Sequence, residues 1–164
     1  MLYFADFHLH GKYSRAVSKK LDLDELARGC KEKGLNLIGT GDFTHPLWLK
    51  EIERLKEEGN GFYTLPCVDN LLFCLTAEIA LFSPSPKGSR RVHHILHAPS
   101  LEVVKQINDV LGKRSNLAAD GRPMIAKTSC AEFVDLIHGV SRDVVIVPAH
   151  AWTPYFGIFG SMSG

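Results

Sequence analysis

His8 and His10 stand two residues apart in Asp6-Phe7-His8-Leu9-His10. On an extended chain both imidazoles leave the same face, so the pair can grip one metal ion without distorting the backbone. Two acids follow apolar runs in the same manner, Asp42 in Gly39-Thr40-Gly41-Asp42 and Glu78 in Thr76-Ala77-Glu78. Histidines recur in Arg91-Val92-His93-His94-Ile95-Leu96-His97, and His150 closes Val144-Val145-Ile146-Val147-Pro148-Ala149-His150. Imidazoles and carboxylates delivered by several strands to one rim build a centre for divalent metals on a β/α barrel. The chemistry this predicts is metal-dependent hydrolysis.

Asp6 shares the face of the histidine pair, and is expected either to ligate or to orient a histidine from behind. Asp42 alone reads as a turn or cap aspartate; beside the histidine pair it reads as a ligand. His45, in Asp42-Phe43-Thr44-His45-Pro46, is a further candidate. Glu78 ends a run that buries it, and a buried carboxylate needs a partner, for which a cation serves. A carboxylate shared by two metals also draws them close together. Along residues 91–97 the side chains alternate, so His94 points opposite to His93 and His97. With both faces of the sheet buried, period alone does not choose between them. His150 ends an apolar strand, the position that carries function in this architecture. His138, near a helix C-terminus, reads as a surface residue complementing the dipole. Lys12 and Arg15 lie nearest the histidine pair and are candidates for phosphate contact, with Arg90 and Arg91 behind them.

The elements that must position these groups alternate. Strands are expected over 2–9, 35–40, 71–79, 91–96 and 144–148. A first helix starts after Asp22, with Glu25 three residues on. It carries Leu23, Leu26, Ala27 and Cys30 at helical spacing and stops at Gly34. Pro46 opens a second helix with the stripe Trp48, Ile52, Leu55, which Gly59-Asn60-Gly61 breaks. Val103, Val104, Ile107, Val110 and Leu111 mark a third helix, and Phe133, Val134 and Ile137 a fourth. Pro84, Pro86 and Gly88 predict a loop, and 113–128 is polar and rich in turn formers. This alternation predicts parallel strands joined by helical crossovers. A complete eight-unit barrel takes roughly 250 residues. The 164 residues here supply about five strands, so an incomplete barrel in a single domain is expected.

Apolar residues make up 45% and charged residues 23%, ordinary for a globular chain. A net charge of +1 makes no case by itself for nucleic acid, so any such contact must rest on local clusters, residues 15–20 and Arg90-Arg91. No apolar run approaches the ~18 residues of a membrane span, and Asp6 interrupts the first run too early for a signal peptide. Cys30, Cys67, Cys74 and Cys130 lack the close spacing of a zinc ribbon. They read as core residues in a reducing compartment, which places the protein in the cytoplasm.

Taken in order, Asp6-x-His8-x-His10, the Thr40-Gly41-Asp42 turn, Glu78, His94-Ile95-Leu96 and Ala149-His150 resemble the polymerase and histidinol phosphatase (PHP) superfamily over nearly the whole chain. Within it, His10-x-x-Tyr13-Ser14-x-Ala16-x-Ser18, Arg90-Arg91-Val92-His93-His94 and Ala149-His150-Ala151-Trp152-Thr153-Pro154 followed by Phe159-Gly160-Ser161 resemble the endonuclease Q family. The resemblance implies a PHP-type distorted (βα)7 TIM-like barrel, incomplete in this chain, holding two or three divalent metals, zinc or manganese with magnesium as an alternative. It implies His8, His10, Asp42, Glu78, His94 and His150 as metal ligands and catalytic residues, His94 being taken over His93 on the His-Ile-Leu pattern. It implies damaged DNA as partner, nicked on the 5′ side of hypoxanthine, uracil, xanthine or an abasic site. The superfamily's late Asp-x-His motif, a cysteine-rich zinc module and a helical C-terminal region have no counterpart in residues 1–164, so an N-terminal portion is expected. Two other functions share the motifs: a small-molecule phosphomonoesterase of the histidinol-phosphatase type, and a non-catalytic PHP scaffold.

Overall fold

The computed structural model describes residues 2–85 and 88–163. Among them the elements run β1 (Ala5–Asp6), α1 (Leu23–Lys33), β2 (Leu37–Gly39), α2 (Pro46–Ile52), β3 (Lys56–Gly59), β4 (Phe62–Thr64) and β5 (Leu72–Ser85). There follow β6 (Gly88–Ala98), α3 (Leu101–Gly112), β7 (Met124–Ala126), α4 (Cys130–His138) and β8 (Val145–Pro148).

The helices start and stop where side-chain chemistry directs. Asp22 caps α1 by accepting from the Glu25 amide at 2.9 Å, and Gly34 closes it in the left-handed region. Ser129 and Glu132 form a reciprocal capping box on α4. Each helix buries one stripe, Leu23, Leu26, Ala27 and Cys30 on α1, Val104, Ile107 and Leu111 on α3, Phe133 and Ile137 on α4. In α2 the indole of Trp48 is fully buried and donates from Nε1 to the carbonyls of Thr40 at 3.1 Å and Gly41 at 2.9 Å. A buried tryptophan is worth roughly 3–5 kcal/mol against alanine. Trp48 therefore both fills the core and pins the turn that carries Asp42.

The sheet is mixed, which corrects the expectation of parallel strands throughout. β1–β2, β2–β5 and β5–β7 are parallel, whereas β3–β4, β4–β5, β5–β6 and β6–β8 are antiparallel. The cause lies in β5, which runs on past residue 79 and returns directly as β6. Leu81, Phe82 and Val92 extend the apolar pattern, and register is kept from Leu75↔Ala98 to Ser85↔Gly88. Most of the expected 84–88 loop is therefore strand; Pro86 lies outside the described residues. Gly59-Asn60-Gly61 turns the β3–β4 hairpin with all three residues at positive φ. β7 sits inside the segment read as turn-rich and buries one residue, Ile125. The first strand is shorter than its apolar run, since only Ala5 and Asp6 pair with Leu37 and Ile38. The α/β class holds, but among the described residues the strand pairings do not close into a ring. Also among them, no helix is long and apolar enough to cross a membrane.

Candidate metal centre

The register of the β5–β6 hairpin decides which histidine meets Glu78. Glu78 lies opposite Ile95, and Ala80 opposite His93, so Glu78 and His93 share a face as diagonal neighbours. His93 Nδ1 is 3.0 Å from Glu78 Oε1. His94 faces the other way, its ring 5.7 Å from that of Phe133 on α4, and its Nδ1 is buried with no hydrogen-bond partner among the described residues. Burial and the neighbouring His93 push its pKa down to about 4. Strand parity thus places His93, and not His94, beside Glu78.

Three more imidazoles converge on the same carboxylate. His8 Nε2 stands 3.2 Å and His150 Nε2 3.3 Å from Oε1, and His10 Nε2 is 3.3 Å from Oε2. Arg122, which the sequence did not single out, brings Nη1 to 3.1 Å from Oε2. A carboxylate offers about four lone-pair directions, yet five nitrogens crowd the two oxygens of Glu78. Burial opposes ionisation of Glu78, but hydrogen bonds from His10, His8 and His93 outweigh it and hold the carboxyl far below the usual range. The donor atoms of His8, His10 and Glu78 lie within 4.8 Å of one another, and so do those of Glu78, His93 and His150. Two triads that share one buried carboxylate fit divalent cations of nitrogen and oxygen preference.

The second ring nitrogens are held from behind. Asp42, fully buried, places Oδ1 2.9 Å from His10 Nδ1, while Oδ2 accepts from the Gly11 amide at 2.7 Å and the Ser14 hydroxyl at 2.6 Å. Burial lowers the pKa of His10, but the hydrogen bonds to Asp42 and Glu78 prevail and raise it to about 9. Thr153 Oγ1 is 3.0 Å from His150 Nδ1, and Phe156 stacks on His93 at 4.6 Å. Burial lowers the pKa of His150. Asp42 at φ 45° and His150 at φ 31° both hold left-handed backbone, a strain of order 1–3 kcal/mol each. Gly41, at φ 64°, brings the turn so close to the chain following β1 that a Cβ would strike the Leu9 carbonyl.

No protein-family model matches the chain. It is 32% identical over 155 residues to an uncharacterized protein of Methanocaldococcus jannaschii, an alignment that takes in 94% of this chain and 17% of the relative. Among solved structures, the lesion-specific endonuclease Q of Pyrococcus furiosus superposes with a TM-score of 0.81 at 32% identity. That match covers 97% of this chain and 37% of that one. A complex of endonuclease Q with a 27-mer duplex bearing an abasic lesion at its active site superposes with a TM-score of 0.79 at 34% identity, over 94% and 36% of the two chains. The chain resembles endonuclease Q. It spans little more than a third of the length of either endonuclease Q structure.

Measured against the ligand set that the endonuclease Q resemblance implied, the geometry gathers His8, His10, Glu78 and His150, adds His93 and leaves out His94. Asp42 belongs to the site through His10, with its oxygens taken by protein donors. Asp6 is in neither triad among the described residues; its Oδ1 accepts from the His8 amide at 3.0 Å, which shapes the chain leading into the histidine pair. His45 caps α2, its Nδ1 accepting from the Leu47 amide at 3.3 Å, and its ring stacks on Tyr13 at 4.3 Å. Burial lowers its pKa. Lys12 is ion-paired with Glu51, which raises its pKa, and Arg15 is exposed without an ion pair among the described residues. His138 sits at the end of α4, 3.2 Å from the Val144 carbonyl. The missed group, Arg122, had no legible signal: it sits in a polar segment whose path no hydrophobic period marks.

Proposed function

We propose that this chain carries the hydrolytic centre of a metal-dependent DNA-repair endonuclease that nicks on the 5′ side of deaminated bases (hypoxanthine, uracil, xanthine) or abasic sites. One observation carries the reading: four imidazoles converge on a single buried carboxylate in a chain that resembles a lesion-specific endonuclease. His8, His10, Glu78, His93 and His150 would hold two or three divalent metals, zinc or manganese before magnesium, with Glu78 common to both triads. The chemistry such metals supply when bound is activation of water near neutral pH and neutralisation of phosphate charge.

The rest falls to the protein. Asp42 fixes the His10 ring so that Nε2 faces the cluster, and Thr153 does the same for His150. Lys12 and Arg15 remain our candidates for contact with the DNA backbone outside the cluster, Lys12 once released from Glu51. The duplex bound by endonuclease Q with its lesion at the active site supports damaged DNA as the partner. Extrusion of the damaged nucleotide costs roughly a few kcal/mol, less for a damaged or mispaired base, which contributes selectivity. We take the domain to be the N-terminal portion of a (βα)7 PHP barrel continued by further sequence, and the compartment to be the cytoplasm. The four cysteines are all unpaired.

The test is strand cleavage of labelled duplexes containing one deoxyinosine or one abasic site, beside undamaged duplex and p-nitrophenyl phosphate. Nicking confined to the damaged duplexes supports the reading. Hydrolysis of the small ester alone would assign a phosphomonoesterase, and inactivity on every substrate with metals bound would leave a scaffold.

A further inference from the structure

Arg122 is the one guanidinium or ammonium in contact with Glu78 among the described residues. Its position is built rather than incidental. The amide of Arg122 donates to Asp120 Oδ1 at 3.1 Å, and the carbonyls on either side of it are also held. Thr44 Oγ1 donates to the Gly121 carbonyl at 3.2 Å, and the Ala80 amide to the Pro123 carbonyl at 3.0 Å. Gly121 packs so tightly on the Asp42–Ser14 pair that a Cβ there would collide with Ser14 Oγ and Asp42 Oδ2. The segment therefore docks on the same aspartate that orients His10, and this docking delivers the next side chain over the cluster.

A guanidinium carries five N–H donors in a planar fork. Of these, Nη1 meets Glu78, and the side chain is 35% exposed at the mouth of the site. A permanent cation gains nothing from a cluster built to hold divalent cations, where like charges repel. The ligand it complements there is an anion with several oxygens to offer, which is the chemistry of a phosphate group. Lys12 is satisfied by Glu51, so it does not compete for this role at rest.

Resting on the hydrolase reading above, we propose that Arg122 binds the phosphate group whose ester bond is cut, turning from Glu78 to two non-bridging phosphate oxygens when substrate enters. Bound this way, the fork sets the orientation of the phosphate against the cluster and balances its charge. Binding involves no covalent change and needs no co-reactant.

The experiment uses the full chain with manganese and compares wild type, Arg122→Lys and Arg122→Ala. A fluorescein-labelled duplex with one tetrahydrofuran abasic analogue is titrated by anisotropy, cleavage is timed, and metal content and melting are recorded for each variant. Losing a charge-assisted contact predicts about 10- to 100-fold weaker binding or raised KM in Arg122→Ala. The lysine variant should recover part of that loss, because it keeps the charge without the fork. Metal content should be equal in all three.

Wild-type affinity and KM in Arg122→Ala would overturn the proposal. So would loss of metal in both variants, which would make Arg122 a structural counter-ion. A wild type that ignores DNA but hydrolyses p-nitrophenyl phosphate would overturn the DNA reading alone, and the Arg122 comparison is then decided on KM for that ester. A wild type that acts on neither overturns both.

Discussion

The Nδ1 of His10 lies 2.9 Å from Oδ1 of Asp42, and that contact fixes which ring nitrogen turns toward Glu78. The other Asp42 oxygen is already held by the Gly11 amide and the Ser14 hydroxyl, both donors. Asp42→Asn can keep an oxygen on those donors only by turning its N–H₂ toward His10 Nδ1, which shifts the ring proton to Nε2, the nitrogen that faces the cluster. We expect metal affinity to fall about 10- to 100-fold, as for other groups behind a ligand, with about 1–3 kcal/mol of stability lost. Chelator competition and urea unfolding measure the two effects separately.

The metal-free protein should show a pH dependence with a definite sign. His10 has its pKa raised from 6.5 to about 9 in the folded state. Its contribution to stability is therefore complete below 6.5 and lost as pH rises through about 9. Glu78, depressed instead, contributes above its unfolded value of 4.5 and loses that contribution only as pH falls. In chelator, melting temperature should thus decline between pH 6.5 and 9, and His10→Gln should flatten that decline. Metal binding must displace the His10 proton, so affinity should strengthen over the same interval.

Gly121→Ala tests how the segment before β7 docks. Its methyl group has no room beside Ser14 Oγ and Asp42 Oδ2. Overpacking of this kind costs roughly 1–3 kcal/mol. We expect lower stability together with a raised KM, because Arg122 moves with its neighbour. Thermal melts and substrate titration read these two consequences.

His93 and His94 are separated by a simple exchange. His93→Ala removes a donor from the cluster and should reduce the number of metals bound. His94→Leu removes a buried Nδ1 that has no partner among the described residues, so stability should hold or rise, by up to about 1–3 kcal/mol. Metal content of the two purified variants, measured beside wild type, distinguishes them.

How far the chain could be read from its residues follows from which signals are local. The cap at Asp22, the stop at Gly34 and the stripes of α1, α3 and α4 are short-range patterns, and they formed where expected. That His8, His10, Glu78 and His150 converge was legible because each sits beside or at the end of an apolar run. What failed was pairing. β5 pairs back antiparallel with β6 instead of crossing over, and the register of that pair alone fixes that His93 rather than His94 shares the face of Glu78. Arg122 reaches the site through the docking of Gly121 on Asp42, a contact 79 residues apart in sequence (121 − 42) that no local pattern encodes.

The most direct test is to count metals. The chelator-stripped protein is dialysed against zinc or manganese, and bound metal is measured per chain for wild type and for Glu78→Gln. Two or more ions in the wild type, with loss from both triads in the variant, is the predicted result. A folded wild type that binds none, or a Glu78→Gln protein that keeps them all, would contradict it.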